Sequence, residues 1–203
     1  MNGLQDVRHG GRRVASGLVG GTRIETEIGW QRVEDVIPGT QIHTFDGGLR
    51  TLKSVIRARY GADLPKVYPE GLTLIPGGAL GNCEALYVLP DQGILLAGAA
   101  VESVTGQHRV LVRGADIAGH GEIGLAMPVD GIEVVSLRFE DEEVVYANTG
   151  LCLHCPADGR AAVQSQAFPV LDAPAADLLM SCRFLEGHRA STRQRPRRVA
   201  AAV

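Results

Sequence analysis

The sequence predicts an all-β domain of short antiparallel strands, with a short helix near the C-terminal end. Glycine is frequent, with 26 residues in a chain of 203, and glycine-rich turns between short apolar segments are typical of β folds. Apolar residues make up 45% of the chain, which is enough for a packed core. The clearest helical pattern comes only after Gly159, so that the region before it is predicted to be β.

The first part of the chain contains the clearest strand and turn signals. Thr22 to Thr26 and Gln41 to Phe45 are predicted strands, and Pro38-Gly39 fits a type II turn because glycine accepts a positive φ. Asp46-Gly47 is the strongest hairpin signal in the chain. The alternation from Leu52 to Tyr60 then predicts a strand that is buried on one face.

Prolines and glycines interrupt the middle of the chain, so shorter strands are predicted there. Leu72 to Ile75 and Arg109 to Val112 are two of them. Pro90 breaks the apolar stretch between them into two strand pieces, because proline cannot donate to a sheet ladder.

A later hairpin is predicted to have an acidic tip. The alternation from Val135 to Phe139 predicts one strand, and Val144 to Ala147 predicts the next. Between them, Glu140 to Glu143 is predicted to be a solvated turn, because four consecutive acids lack the spaced ligands and central glycine of a calcium-binding loop.

The predicted helix lies within residues 171–188 and has about three turns. Asp172 is placed to cap its N-terminus, two residues before Pro174, which is tolerated in the first turn. Its apolar stripe consists of Leu178, Leu179, Cys182 and Leu185.

The two ends of the chain differ from the β region in composition. Residues 1–16 carry a glycine pair and several charges and are predicted to be a flexible leader. The basic stretch "RASTRQRPRR" predicts a solvated, disordered end, with an anion-binding arm as the alternative. We therefore divide the chain into a leader (1–16), a β domain (17–151) and a tail (152–203).

Charge and hydropathy exclude several classes of function. The net charge of −3 gives no global basic field for nucleic acid. No apolar run reaches the length of about 18 residues needed for a membrane span. The N-terminus lacks the apolar core of a signal peptide, which predicts a cytoplasmic protein or one exported by a route without such a peptide.

The motif "CLHC" places Cys152 and Cys155 on either side of His154 at a spacing known from metal and redox sites. A structural zinc site uses four ligands, so Cys83 or Cys182 would have to complete it. A redox pair is expected near a βαβ pattern, which the sequence lacks. We therefore favour ordinary half-buried thiols and predict no metal and no cofactor, with zinc binding and a disulfide or redox pair as the alternatives.

Seven segments in order resemble the Hint (hedgehog/intein) family, in particular bacterial Hint-domain proteins. The segments run from about Gly17 to Gly150 and are "GTRIET", "RVEDVIPGTQI", "TFDGGLRTLKSVIRARYG", "IPGGALGN", "ALYVLPDQGILLAGAAVE", "GQHRVLV" and "LRFEDEEVVYANTG". Each is weak alone, but their order makes the match specific. The resemblance implies an all-β horseshoe of strands in which the first residue and the last strands meet at one site.

The resemblance also implies a self-processing reaction with three chemical requirements. The first residue, a cysteine or serine, attacks the peptide carbonyl that precedes it, so a nucleophile must lie beside its own N-terminal bond. A histidine must protonate the amine that leaves. Hydrogen-bond donors must stabilise the oxyanion.

Three positions that carry this chemistry in the family are altered here. The nucleophile position falls on Gly17, which has no side chain. The central histidine position falls on Gln92, which cannot shuttle a proton near neutral pH. A further histidine position falls on Glu142. We therefore predict a domain that no longer cleaves itself and acts as a structural or interaction module, with an unidentified protein as its partner.

Other residues offer alternatives to this interpretation. Ser16 would be the nucleophile in a register shifted by one residue, with Ala15–Ser16 as the cleaved bond and residual autocatalytic cleavage as the function. His108 is a candidate for a displaced base, but an exposed loop position is favoured. His43 is predicted to lie on a strand, at the surface or half-buried.

Overall fold

The computed structural model describes residues 4–6, 14–157 and 165–193. The strands are β1 (Leu4–Asp6), β2 (Leu18–Val19), β3 (Arg23–Thr26), β4 (Gly29–Arg32), β5 (Gln41–Thr44), β6 (Gly48–Thr51), β7 (Ser54–Tyr60), β8 (Leu72–Ile75), β9 (Leu86–Val88), β10 (Gly93–Ala97), β11 (Arg109–Arg113), β12 (Gly124–Ala126), β13 (Ile132–Arg138), β14 (Glu143–Ala147) and β15 (Leu151–Cys155). The helices are α1 (Leu64–Val67), α2 (Ala99–Thr105), α3 (Gly114–Ile117) and α4 (Ala173–Arg193), and a 3₁₀ turn spans Val33–Asp35. Most of the predicted leader lies outside the described residues, as does the basic stretch from residue 194 onward. Residues 189–193 of that stretch belong to α4, so the prediction of a disordered end is wrong for them.

The described strands form two sheets, as the prediction of an all-β Hint fold requires. One sheet has the order β1-β7-β13-β2-β9-β8-β12, and the other has the order β11-β10-β15-β14-β3-β5-β6, with β4 paired to β3. All the strand pairs are antiparallel except β1 with β7. Strand β2 lies between β13 and β9 in the interior of the first sheet. Gly17 immediately precedes β2, so it lies beside the interior of this sheet and away from the sheet edges.

The main apolar cluster joins the two sheets. Val135 and Leu137 of β13 belong to the same cluster as Ile94 of β10 and Val145 of β14, and each is at most 2% exposed. Burial of an aliphatic side chain of this size contributes about 1.5–3 kcal/mol. The cluster therefore fixes β13 of one sheet relative to β10 and β14 of the other.

Of the two predicted hairpins, one forms and the other does not. The Asp46-Gly47 turn joins β5 to β6 in register, with Thr44 opposite Gly48, and Gly48 has the φ of +64° that glycine favours. The predicted hairpin across Glu140 to Glu143 is wrong, because β13 pairs with β7 and β2 whereas β14 pairs with β15, β3 and β5. Val134 to Leu137 are all buried, so β13 is covered on both faces and the chain crosses from one sheet to the other after it.

The predicted C-terminal helix forms as α4. Asp172 caps it as predicted, since its Oδ1 accepts a hydrogen bond of 3.0 Å from the Ala175 amide. The predicted apolar stripe is only partly right, because Leu178 and Leu185 are exposed and the buried face consists of Ala176, Leu179 and Met180. The helix continues to Arg193, beyond the predicted three turns. No described helix is both long and apolar enough to cross a membrane.

Candidate functional site

The peptide bond between Ser16 and Gly17 is held from both sides in the interior. The Gly17 amide donates to Oε1 of Gln92 at 3.0 Å, and the Ser16 carbonyl accepts from the Ser136 hydroxyl at 2.9 Å. Ser16 is 8% exposed, Ser136 is 7% exposed and Gln92 is completely buried. This arrangement brings the β2 entrance, the β9–β10 turn and β13 together at one peptide group.

Gln92 uses its whole side-chain amide in this network. Its Oε1 accepts from the Gly17 amide and, at 3.3 Å, from the Ser16 hydroxyl. Its Nε2 donates to the main-chain carbonyls of Gly93 at 2.9 Å and His154 at 2.8 Å. The tight turn after Leu89, whose carbonyl accepts from the Gln92 amide, aims the side chain inward. A neutral group therefore occupies the position that the sequence analysis assigned to the central histidine.

The space where residue 17 would carry a side chain is filled by its neighbours. A Cβ built on Gly17 would lie 2.6 Å from Cγ1 of Val134 and 2.9 Å from Oγ of Ser136. Both neighbours belong to buried β13, and real Cβ contacts are not this short. Gly17 does not have a positive φ, so close packing and not backbone conformation is what excludes a side chain.

The alternative nucleophile Ser16 lies in the same network but is oriented for another role. Its hydroxyl contacts Gln92, and the donor from Ser136 binds its own carbonyl. Attack by Ser16 on the Ala15 carbonyl would need a donor at that preceding group. One residue further back, the Tyr68 hydroxyl donates to the Val14 carbonyl at 2.8 Å and accepts from the Val14 amide at 3.2 Å.

Glu142 is linked to the Ser16–Gly17 peptide indirectly, through His154 and Gln92. Its Oε2 is 3.4 Å from Nε2 of His154, whose main-chain carbonyl accepts from Gln92. Its Oε1 accepts from the Ser165 hydroxyl at 3.1 Å and from the main-chain amides of residues 166 and 167 at 3.0 and 2.8 Å. The prediction of a solvated tip is therefore wrong for Glu142, whose side chain is only 15% exposed.

These contacts determine the charge of Glu142. Burial acts to raise its pKa, but the Ala167 amide, His154, Ser165 and the Gln166 amide outweigh burial, and the net pKa lies below the ordinary value of 4.5. Glu142 is therefore a carboxylate at neutral pH. It ties the segment that enters α4 to the end of β15.

His154 is the functional-site residue that the sequence analysis did not single out. It is 1% exposed, and among the described residues its Nδ1 has no hydrogen-bond partner. Burial lowers its pKa below 6.5, although Glu142 acts in the opposite direction. In the sequence His154 is one polar residue inside the apolar run "LCLHC", and only its burial in the tertiary structure marks it as part of the site. Ser16, Gly17, Ser136 and His154 line one narrow pocket, together with Cys155 and others.

The four cysteines have free thiols. Cys152 and Cys155 are three positions apart on one strand, so their side chains lie on opposite faces of the sheet. Burial raises the pKa of Cys152 to about 11 and that of Cys155 to about 12. Within the described ranges, no three ligand-type side chains are grouped so as to hold a metal ion. Cys152 and Cys155 therefore do not face each other.

The two other histidines weighed as candidates lie outside the site. The His108 side chain is 89% exposed and contacts Glu102 at 2.7 Å. His43 lies half-buried on β5, opposite Leu49. Both positions are as predicted.

Fold and site together define an intein-like β domain with a buried peptide bond at its entrance. The family model described as "Hint domain" matches residues 16–152, about two thirds of the chain. The chain belongs to the Hint domain family. No curated protein matches it in sequence.

Solved structures of intein and intein-like domains are similar to this chain over about two thirds of its length. A bacterial intein-like domain from Clostridium thermocellum is 14% identical, with 68% of this chain and 98% of that chain covered and a TM-score of 0.47. The gp41-1 intein is 10% identical, with the same coverage of 68% and 98% and a TM-score of 0.41. The MchDnaB-1 intein is 14% identical over 68% and 98% of the two chains, with a TM-score of 0.40.

Proposed function

We propose that this Hint domain does not cleave itself by an acyl shift at residue 17 and serves as a structural or interaction module. The observation that carries the proposal is the filled space beside Gly17. A nucleophile at this residue would need a Cβ where Val134 and Ser136 already lie. The absence of a nucleophile at residue 17 and the filled space beside it both support the proposal that the site is not reactive.

The contacts of the Gly17 nitrogen support the same proposal. Gln92 accepts the amide hydrogen through Oε1, so it stabilises the intact amide and offers no proton to a leaving amine. A glutamine amide does not titrate in the physiological range. The chemistry required of the family's central histidine is therefore missing at the position where it is needed.

The module that remains is an anchor for the chain that enters it. Tyr68 holds Val14, Ser136 and Gln92 hold the peptide of residues 16 and 17, and β2 continues into the first sheet. Each net hydrogen bond of this kind contributes about 0.5–1.5 kcal/mol. We propose that the domain presents its N-terminal segment to a protein partner in a fixed position.

Intact-mass spectrometry of freshly expressed protein tests this proposal. We expect a single species of full-length mass, unchanged after incubation with thiol or hydroxylamine. A fragment that begins at Gly17 would contradict the proposal outright. A fragment that begins at Ser16 would instead support the alternative of residual cleavage with Ser16 as the nucleophile.

A further inference from the structure

Helix α4 has apolar residues on two opposite faces. Its buried face, which includes Ala176, Leu179 and Met180, packs into the main apolar cluster. Its other face carries Leu178 and Leu185, which are 56% and 62% exposed. Because seven positions are about two helical turns, these two leucines project from one side of α4, away from the buried face. We call this side the outer face of α4.

The outer face has more apolar surface than a helix needs in order to cover one core. A helix that packs on a single domain typically has polar residues on its solvent side. Exposed apolar residues scattered singly over a surface are common, but Leu178 and Leu185 share one helix face. Their burial against a further surface would be favourable, because apolar area would be removed from water.

The outer face is symmetric about its midpoint. Ser181 and Cys182 lie between the two leucines, and both are half-buried. A two-fold axis through this midpoint would place Leu178 of one copy against Leu185 of another. Serine and cysteine are small, so two helices that cross there are able to approach closely. The order leucine, small pair, leucine is therefore complementary to itself when the second helix runs in the opposite direction.

The charges along α4 also favour an antiparallel second copy. Asp172 and Asp177 lie at the start of the helix. Its last turns contain Arg189 and Arg193 and one acidic residue, Glu186. Two antiparallel copies would bring the acidic end of each helix to the basic end of the other, with their helix dipoles opposed.

We propose that the outer face of α4 is a self-association surface, through which two copies of this chain pair as antiparallel helices. Leu178 and Leu185 form the apolar contacts, and Cys182 lies near the two-fold axis. The interface contains few residues, so the dimer is weak and depends on protein concentration. The surface is separate from the Ser16–Gly17 peptide, and the proposal does not depend on whether that bond is reactive.

Sedimentation equilibrium of the full-length chain measures the association. We expect the average mass to rise with concentration from the monomer mass of 21.5 kDa toward twice that value. Leu178→Glu and Leu185→Glu each place a carboxylate in the apolar contact and should raise the dissociation constant at least about tenfold. Leu125→Glu is the matched control, because Leu125 is 54% exposed on β12 and should leave the association unchanged.

Cross-linking tests the antiparallel arrangement. Cys83 is also exposed, so the reaction is carried out with Cys83→Ser. A short bismaleimide should then join two chains through Cys182, and Cys182→Ser should abolish this product. Adding Leu178→Cys to Cys83→Ser and Cys182→Ser should not restore it, because residue 178 faces residue 185 of the second copy in the proposed arrangement.

The outcomes distinguish the surface from the arrangement of the helices. Circular dichroism first establishes which variants are folded, and two glutamate variants are used so that one remains if the other is unfolded. A wild type that stays monomeric at every concentration overturns the proposal. A dimer that survives both glutamate substitutions, or that Leu125→Glu weakens equally, overturns the assignment to α4. Equal cross-linking through residue 178 overturns the antiparallel arrangement.

Discussion

The two sides of the buried site differ in the kind of polar group that they contain. Around the Ser16–Gly17 peptide, the partners are an amide and hydroxyls, all neutral and all hydrogen-bonded. On the far side, Glu142 and His154 titrate, and one imidazole nitrogen has no partner among the described residues. The His154 main-chain carbonyl, which accepts from Gln92, joins the two sides.

This difference shows which side of the site contributes to stability and which side contains groups that are able to transfer protons. The neutral side satisfies its donors and acceptors at any ordinary pH, so it acts as a structural element. The titratable side keeps the groups that proton transfer needs. In the function proposed above the bond itself is unreactive, although a histidine and a carboxylate lie beside it.

Removing the amide of Gln92 tests the neutral side most severely. Gln92→Leu strands the Gly17 amide and the Ser16 hydroxyl in the interior, and each buried unsatisfied group costs about 1–3 kcal/mol. We expect the free energy of unfolding, measured by urea denaturation, to fall by about 3 kcal/mol or more. Gln41→Leu removes an exposed amide contact with Thr51 and is the matched control. Equal losses of stability in the two variants would mean that the buried network contributes no more to stability than one exposed hydrogen bond does.

Adding one methyl group at residue 17 tests whether the space there is truly closed. Gly17→Ala forces Val134 and Ser136 to shift, and overpacking of this kind typically costs about 1–3 kcal/mol. Gly20→Ala is the control, because its Cβ would meet nothing closer than 3.5 Å. Urea denaturation of both should show a loss only for Gly17→Ala. A stable Gly17→Ala protein would show that the pocket still has room for a nucleophile.

The pH dependence of stability tests the titratable side and is the smallest expected effect. Burial lowers the pKa of His154 in the folded protein. Below pH 6.5, the unfolded chain therefore binds a proton at this residue that the folded chain does not bind. Stability should therefore decline as the pH falls below that value. Glu142, whose folded pKa lies below 4.5, should add a second decline as the pH falls further.

Chemical denaturation across this pH range, with His154→Gln as the comparison, measures the effect. The first decline should disappear in the variant while the second remains. Glu142→Gln should have the opposite result, because the amide keeps the shape but does not titrate. A first decline that survives in His154→Gln would assign it to another group.

Much of the fold was predictable because the signals that determine it are local. The Asp46-Gly47 turn, the strand that ends at Tyr60 and the Asp172 cap each depend on neighbouring residues, and each forms in the structure. The prediction that this strand is buried on one face is wrong, because Val55 and Tyr60 lie on opposite faces and both are buried. The crossover after β13 was not predictable in this way. An apolar strand followed by a turn and another apolar strand looks the same whether the two strands pair or enter different sheets.

The candidate site was predictable in part. Its residues Gly17 and Gln92 meet at 3.0 Å although they are 75 positions apart, and only the ordered resemblance to a family connected them beforehand. Glu142 is linked to Gln92 indirectly, because it contacts the His154 side chain and Gln92 donates to the His154 main-chain carbonyl. Burial and an unpartnered ring nitrogen are tertiary properties, so no local pattern distinguished His154 from an ordinary strand residue.

The sequence by itself determined the all-β class, the Hint resemblance and the absence of a nucleophile or titratable group at Gly17 and Gln92, because the order of residues determines side-chain chemistry and local turn preferences. Only the tertiary structure decided that the space beside Gly17 is filled, that Ser136 lies at the Ser16 carbonyl and that Glu142 is held by the segment before α4. These depend on distances between strands that are far apart in the chain. Packing sets those distances, and no pattern within one segment contains them.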